Sequence, residues 1–205
     1  MSDRTAHWEN VYSTKGEAEV SWFQDRPEPS LELIALLGAG ADTAIVDIGG
    51  GASRLVDALL AKGINDITVL DLSAEALKVA RARLGPSGER VHWIVGDATE
   101  WEPAQDYDIW HDRAAFHFLT EDGQRRAYLE RLQRGLRIGG HAIIGTFALD
   151  GPERCSGLPV QRHSAETLAA LLGGGFTLVD HRRHDHATPW GSVQKFQYST
   201  FRRTA

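Results

Sequence analysis

Three consecutive glycines at 49–51 constrain this chain more than any other stretch. They end the apolar run "TAIVDIG" (43–49) and stand just ahead of the helical pattern "SRLVDALLAKG" (53–63). Glycine turns through conformations that a Cβ forbids and lets a ligand approach the main chain closely. A buried strand that enters a helix through such a turn matches the opening unit of a nucleotide-binding α/β sheet. The same residues also suit a tight turn with no ligand. A dinucleotide fingerprint asks for a third glycine five residues beyond Gly49, where this chain has Arg54. Asp47, just ahead of the turn, offers a direct or water-mediated partner to the ammonium of an amino-acid cofactor.

Short apolar runs alternate with helical patterns along the rest of the chain, as in a parallel sheet with crossover helices. "DITVLD" (66–71) reads as a second strand, with Ser73 capping a helix that Gly85 ends. Strands are expected at 90–96, 107–112 and 141–149. Helices are expected after Thr120, as a cap, to about Leu136, and from Ser164 to about Leu172. The final runs "GFTLVDHRRH" and "SVQKFQYSTFRR" are joined by a connector too short for a helix, so they form an antiparallel pair. The leader carries Trp8, Tyr12, Trp22 and Phe23 ahead of a helix near 30–37. With no linker or repeat, the expectation is one domain over 1–205, with a lid and helix in 1–40 and a core in 41–205.

Two further acids sit at strand ends. Asp71 lies about 20 residues beyond Gly51, the spacing of an acid that accepts from ribose hydroxyls; capping the next helix is its other reading. Asp97, in "VGDATEW" (95–101), can accept from an adenine amine while the Ala98 N–H faces a ring nitrogen.

Composition narrows the partners. A net charge of −6 disfavours a nucleic-acid surface, which needs clustered Lys and Arg. The polar start and the lack of an apolar run near ~20 residues predict a cytoplasmic protein without a membrane anchor. The single cysteine, Cys155, excludes an internal disulfide and a Cys-rich metal site. His181, His184 and His186 lie on the expected hairpin among arginines, on mixed strand faces, so no metal is expected.

"IVDIGGGAS", "TVLDLS", "VGDATEW", "YDIWHDRAAFHFL" and "LRIGGHAII" together resemble the ordered motifs of class I S-adenosylmethionine (SAM)-dependent methyltransferases. The leader and tail resemble a small bacterial branch, loosely akin to thiopurine-type and protein-lysine methyltransferases. The resemblance implies a Rossmann-like, doubly wound α/β fold whose seven-stranded sheet is mainly parallel with an antiparallel C-terminal strand. It implies SAM as cofactor and S-adenosylhomocysteine as product. Gly49 and Gly51 would face the methionine part, Asp71 with Leu72 the ribose end, and Asp97 with Ala98 the adenine. Asp47 and His111 complete the expected cofactor set, with Trp8, Tyr12 and Trp22 of the leader closing over it. Ser53 stands where many members have glycine.

His111 and Arg113, from "WHDRAAFHF" (110–118), are the catalytic candidates. His111 would act as base or positioning donor, or serve only the fold; Arg113 would pair a substrate carboxylate or merely Asp112. Methyl transfer is an in-line displacement that needs alignment, and a base only if the acceptor arrives protonated. The expected acceptor is a small-molecule thiol or other chalcogen, carboxylate or amine. Protein side-chain methylation and SAM binding without catalysis are the alternatives, and Arg54 disfavours a dehydrogenase.

Overall fold

Strand β1 (Ala44–Ile48) is buried along its whole length and lies at the middle of the sheet. The computed structural model describes residues 3–205. Helices α1 (Asp3–Thr14) and α2 (Ser30–Leu36) precede β1. After it come α3 (Leu55–Ala61), β2 (Asp66–Asp71), α4 (Ala74–Leu84), β3 (Val91–Val95), β4 (Tyr107–Arg113), α5 (Asp122–Gly135) and β5 (Leu136–Phe147). A loop carrying the two-residue strands β6 (Arg154–Cys155) and β7 (Leu158–Pro159) leads to α6 (Ala165–Leu172). The hairpin of β8 (Phe176–Ala187) and β9 (Val193–Arg203) ends the fold.

The seven-stranded sheet runs β3-β2-β1-β4-β5-β9-β8. Its first five strands are parallel neighbours, and β9 runs antiparallel to both β5 and β8. This is the expected doubly wound architecture with its antiparallel C-terminal strand. Strand alternation sends Ile45, Ile109 and Ile143 to one face, where α2, α3 and α4 cover them with Leu31, Leu59 and Leu77. Val46, Trp110 and Ile144 face the other way, under Tyr128 and Leu132 of α5 and Leu168 of α6. Burial on both faces explains why these strands read as continuous apolar runs.

The chain steps outward from β1 to the edge at β3, then crosses to β4 on the other side of β1. The order therefore reverses between β1 and β4, and ligands of open α/β sheets bind at the carboxyl ends of strands at such a point.

Local signals hold in most places. The Ser73 hydroxyl accepts the Ala76 N–H at 3.1 Å to start α4, and Gly63 and Gly85 take positive φ beyond the ends of α3 and α4. Thr120 is not the cap of α5. Glu121 takes that place, with its own N–H donating to Gln124 Oε1 at 3.3 Å. Strand β5 begins at Leu136, earlier than expected, because α5 runs straight into it and Leu136 already pairs with Tyr107. The leader forms α1, with Trp8, Val11 and Tyr12 at i, i+3 and i+4 on one face. Among the described residues no helix is long and apolar enough to cross a membrane.

Candidate functional site

Strands β1, β2 and β4 end side by side at Ile48, Asp71 and Arg113, and a cleft of about 780 Å³, counting the part open to solvent, lies against those ends. Gly49 and Gly51 turn the chain away from β1 with φ of 66° and 46°. A Cβ on Gly51 would stand 3.0 Å from both Asp71 Oδ2 and the Tyr12 hydroxyl, so only glycine fits between the carboxylate and α1.

Asp71 lines the cleft. Burial above all, with the charges of Asp47 and Glu9 adding to it, pushes its carboxyl up to about 7, although the Ser73 and Gly51 N–H groups donate to it. A buried carboxylate short of donors favours a ligand with hydroxyls to give. Leu70, Leu72, Gly96, Ala98 and Leu119 form an apolar slot beside it, suited to a flat base.

The leader roofs the cleft. Trp8 packs edge-on against Trp22 and Phe118, with ring centroids 5.6 and 5.1 Å apart, and Trp22 Nε1 donates to the Tyr12 hydroxyl at 3.1 Å. Polar contacts anchor the roof at several points. Glu9 accepts the Ala74 and Glu75 N–H groups at 2.6 and 3.3 Å, capping α4 from outside its own sequence. Glu17 pairs with Arg54 and Arg83, each at 2.6 Å, and Arg83 also donates to the Ala52 and Ser53 carbonyls that follow the glycine turn. His7 meets Ser156 of the β6–β7 loop at 3.3 Å, and Cys155 of that loop reaches the cleft.

Arg113 forms the far wall. Its Nε donates to the Tyr198 hydroxyl at 3.1 Å, its Nη1 to the Trp22 carbonyl at 3.0 Å, and its carbon centre lies 5.3 Å from the Phe196 ring. Nη2 is buried with no hydrogen-bond partner, and among the described residues no carboxylate forms an ion pair with this guanidinium. Sheet register explains the placement. Arg113, Gly145 and Tyr198 lie in one row across β4, β5 and β9, and a Cβ on Gly145 would meet the Tyr198 ring at 2.7 Å. The glycine lets the tyrosine lie over β5 and reach the arginine.

Asp47 and His111 also face each other in register, on β1 and β4. Nδ1 of His111 meets Asp47 Oδ1 at 2.7 Å and Nε2 meets Ser30 Oγ at 2.8 Å, all three side chains buried. The ring is thus held between a carboxylate on one side and a hydroxyl on the other. Ser30 also hydrogen-bonds Tyr198, which extends the chain of contacts to Arg113.

The structure thus brings Trp8, Tyr12, Trp22, Gly49, Asp71, Leu72, Ala98 and Arg113 to one cleft, with Gly51 at its edge. Asp47 and His111 line a smaller adjoining space of about 390 Å³. His111, expected beside the reacting methyl as base, positioning donor or structural residue, has Nδ1 engaged with Asp47 and Nε2 with Ser30. Asp97 pairs through Oδ2 at 3.0 Å with Arg4, which lines the cleft, and its Oδ1 accepts from the Thr99 N–H and hydroxyl. Arg113 does not pair with Asp112. That carboxylate accepts the Ala115 and Phe116 N–H groups and the Tyr128 hydroxyl, and burial pushes it up to about 6. His117 is fully buried and burial lowers it to about 3. Burial raises Cys155 to about 12, so its thiol stays protonated. Strand alternation leaves His181 exposed while His186 is buried against the Ser21 carbonyl, and no group of three metal-ligating side chains occurs among the described residues.

Sequence reasoning missed Arg4, Glu9, Ser30, Phe118 and Tyr198. Only Phe118 carried a local hint, as an apolar residue just beyond the fourth strand.

Residues 45–140 match the family described as "Methyltransferase domain". The chain is 28% identical over 107 residues to Malonyl-[acyl-carrier protein] O-methyltransferase 2 of Ilyobacter polytropus, covering 52% of this chain and 40% of that one. It is 26% identical over 129 residues to Trans-aconitate 2-methyltransferase of Rhodopseudomonas palustris, covering 62% and 48%. The chain therefore spans less than half the length of these two relatives. Among solved structures, the 1,6-didemethyltoxoflavin-N1-methyltransferase of Burkholderia thailandensis, with bound 1,6-didemethyltoxoflavin and S-adenosylhomocysteine, superposes with a TM-score of 0.67 at 28% identity over 86% of this chain and 76% of that one.

Proposed function

We propose that this chain is a class I SAM-dependent methyltransferase, with SAM as cofactor, and that it methylates a small-molecule nucleophile. One observation carries the reading: the ribose-type acid Asp71 and the unpaired cation Arg113 open into the same roofed cleft. Bound there, SAM would supply an electrophilic methyl group carried on a sulfonium, whose departing thioether, S-adenosylhomocysteine, is a neutral leaving group.

The residues of the chain do the rest. Asp71 accepts the two ribose hydroxyls, Leu72 and Ala98 border the adenine, and the Gly49 turn lets the methionine tail approach the main chain. Trp8, Tyr12 and Trp22 exclude water and leave a compact space between themselves and Arg113, so that acceptor and methyl group align. One relative is named for methylating trans-aconitate, which supports a small acceptor. The roof formed by α1 and the β6–β7 loop argues for the same class over a folded protein.

The test is release of S-adenosylhomocysteine from SAM across a panel of carboxylic acids, thiols and amines, alongside calorimetry of the cofactor. Turnover with at least one class is expected. Asp71→Ala should weaken S-adenosylhomocysteine binding by about 2–3 kcal/mol, since two hydrogen bonds to a charged acceptor are lost. Tighter binding of NAD than of SAM, or unchanged affinity in Asp71→Ala, would sink the assignment.

A further inference from the structure

Arg113 is a cation without a counter-charge. Its hydrogen bonds go to a neutral hydroxyl and a neutral carbonyl, one guanidinium nitrogen has no partner, and an aromatic ring covers its flank. A partly buried charge is costly unless something pairs with it. The other titratable groups on this wall do not help. Tyr12 is raised above its ordinary range by burial, Cys155 holds its proton, and the nearby His186 is lowered to about 4 by burial and by Arg113 itself. Apart from Asp71 and Arg4, which is paired with Asp97, the cleft is mainly aromatic and aliphatic, through Trp8, Trp22, Phe118 and Leu119.

The titratable groups nearest this wall already have partners or another place. His111 is engaged outside the cleft, Asp71 belongs to the cofactor end, and Tyr128 already donates to Asp112. A carboxylate acceptor, already ionised, needs no group to take a proton.

We propose that the acceptor is a small apolar molecule bearing a carboxylate, that Arg113 holds this carboxylate, and that one of its oxygens takes the methyl group. The inference rests on the methyltransferase reading above. The carboxylate oxygen forms the new C–O bond as the methyl carbon leaves sulfur. The sulfonium becomes a neutral thioether, the carboxylate a neutral ester, and no proton moves. A guanidinium matches a carboxylate in charge and shape, and the ester keeps neither the charge nor both acceptor oxygens. Methylation therefore removes the group's hold on the product.

Calorimetry on the full chain saturated with S-adenosylhomocysteine tests this, with benzoate, hexanoate and 3-phenylpropanoate each compared with its own methyl ester. At least one acid should bind tenfold or more tightly than its ester. Arg113→Gln should reduce that ratio to below threefold, and Arg113→Lys should keep part of it. S-adenosylhomocysteine affinity should stay within threefold of the parent in both variants, and turnover with SAM should yield the methyl ester by mass spectrometry. Equal binding of every acid and ester, or no binding of either, overturns the proposal. So does a large loss of S-adenosylhomocysteine affinity in Arg113→Gln, which would assign the guanidinium to the cofactor's own carboxylate. Failure of the methyltransferase reading looks different: the parent chain would then not bind S-adenosylhomocysteine at all.

Discussion

Asp71 titrates where a carboxyl ordinarily does not, and its direction sets how the protein responds to pH. The folded-state value of about 7 lies above that of the unfolded chain. Between the two, the folded state holds a proton that the unfolded state has lost. This group's contribution to stability is therefore greatest at low pH and falls as pH rises toward 7. Binding runs the other way. A ligand that donates hydroxyl hydrogens to Asp71 needs the charged form and expels the proton. S-adenosylhomocysteine affinity should fall by up to about tenfold per pH unit below 7 and level off above it. Calorimetry in buffers of different ionisation enthalpy should register release of a proton near pH 6, and Asp71→Asn should flatten the profile. A parent profile with no slope between pH 5.5 and 7 would remove Asp71 from the cofactor site.

Among the elements, the row that crosses β4, β5 and β9 places the site's cation. Gly145→Ala puts a methyl group 2.7 Å from the Tyr198 ring, so the ring must shift and Arg113 loses one of its two acceptors, keeping the Trp22 carbonyl. A destabilisation of about 1–3 kcal/mol is expected from overpacking, with turnover reduced by more than tenfold. Tyr198→Phe keeps the ring and removes only the hydroxyl, so it separates packing from positioning. Chemical denaturation of both variants gives the check, and parental stability in Gly145→Ala would contradict this account.

The same row shows which features the sequence could reveal. Strands β1 and β2, the Ser73 cap and the Gly49–Gly51 turn are written in neighbouring residues, so periodicity and glycine placement expose them. Arg113 was visible as a cation past a strand, and its partner Tyr198 was not, since that contact follows from antiparallel pairing over a long separation. Asp97 shows the same limit: its position at a strand end is local, but its contact with Arg4, 93 residues away, is not. His111 likewise looked free until sheet register set it against Asp47 and α2 brought Ser30 to its other nitrogen.

At the scale of the whole molecule, residues 3–24 behave as a cover joined to the sheet's working edge. Glu9 caps α4, Glu17 ties Arg54 and Arg83, and Trp8 meets Phe118 beyond β4, so the cover touches elements on both sides of the switch point. Deleting residues 1–24 should weaken S-adenosylhomocysteine retention and abolish turnover while far-UV circular dichroism keeps the signal of the sheet and remaining helices. A truncated chain that stays folded and turns over at the parental rate would mean that these aromatics only pack. The cover also has an optical consequence. Trp8 and Trp22 stand over the cleft, whereas Trp110 is fully buried and Trp190 lies exposed at the hairpin tip. Two indoles thus share their surroundings with whatever enters and the others do not, so the protein's intrinsic fluorescence reports occupancy without a label.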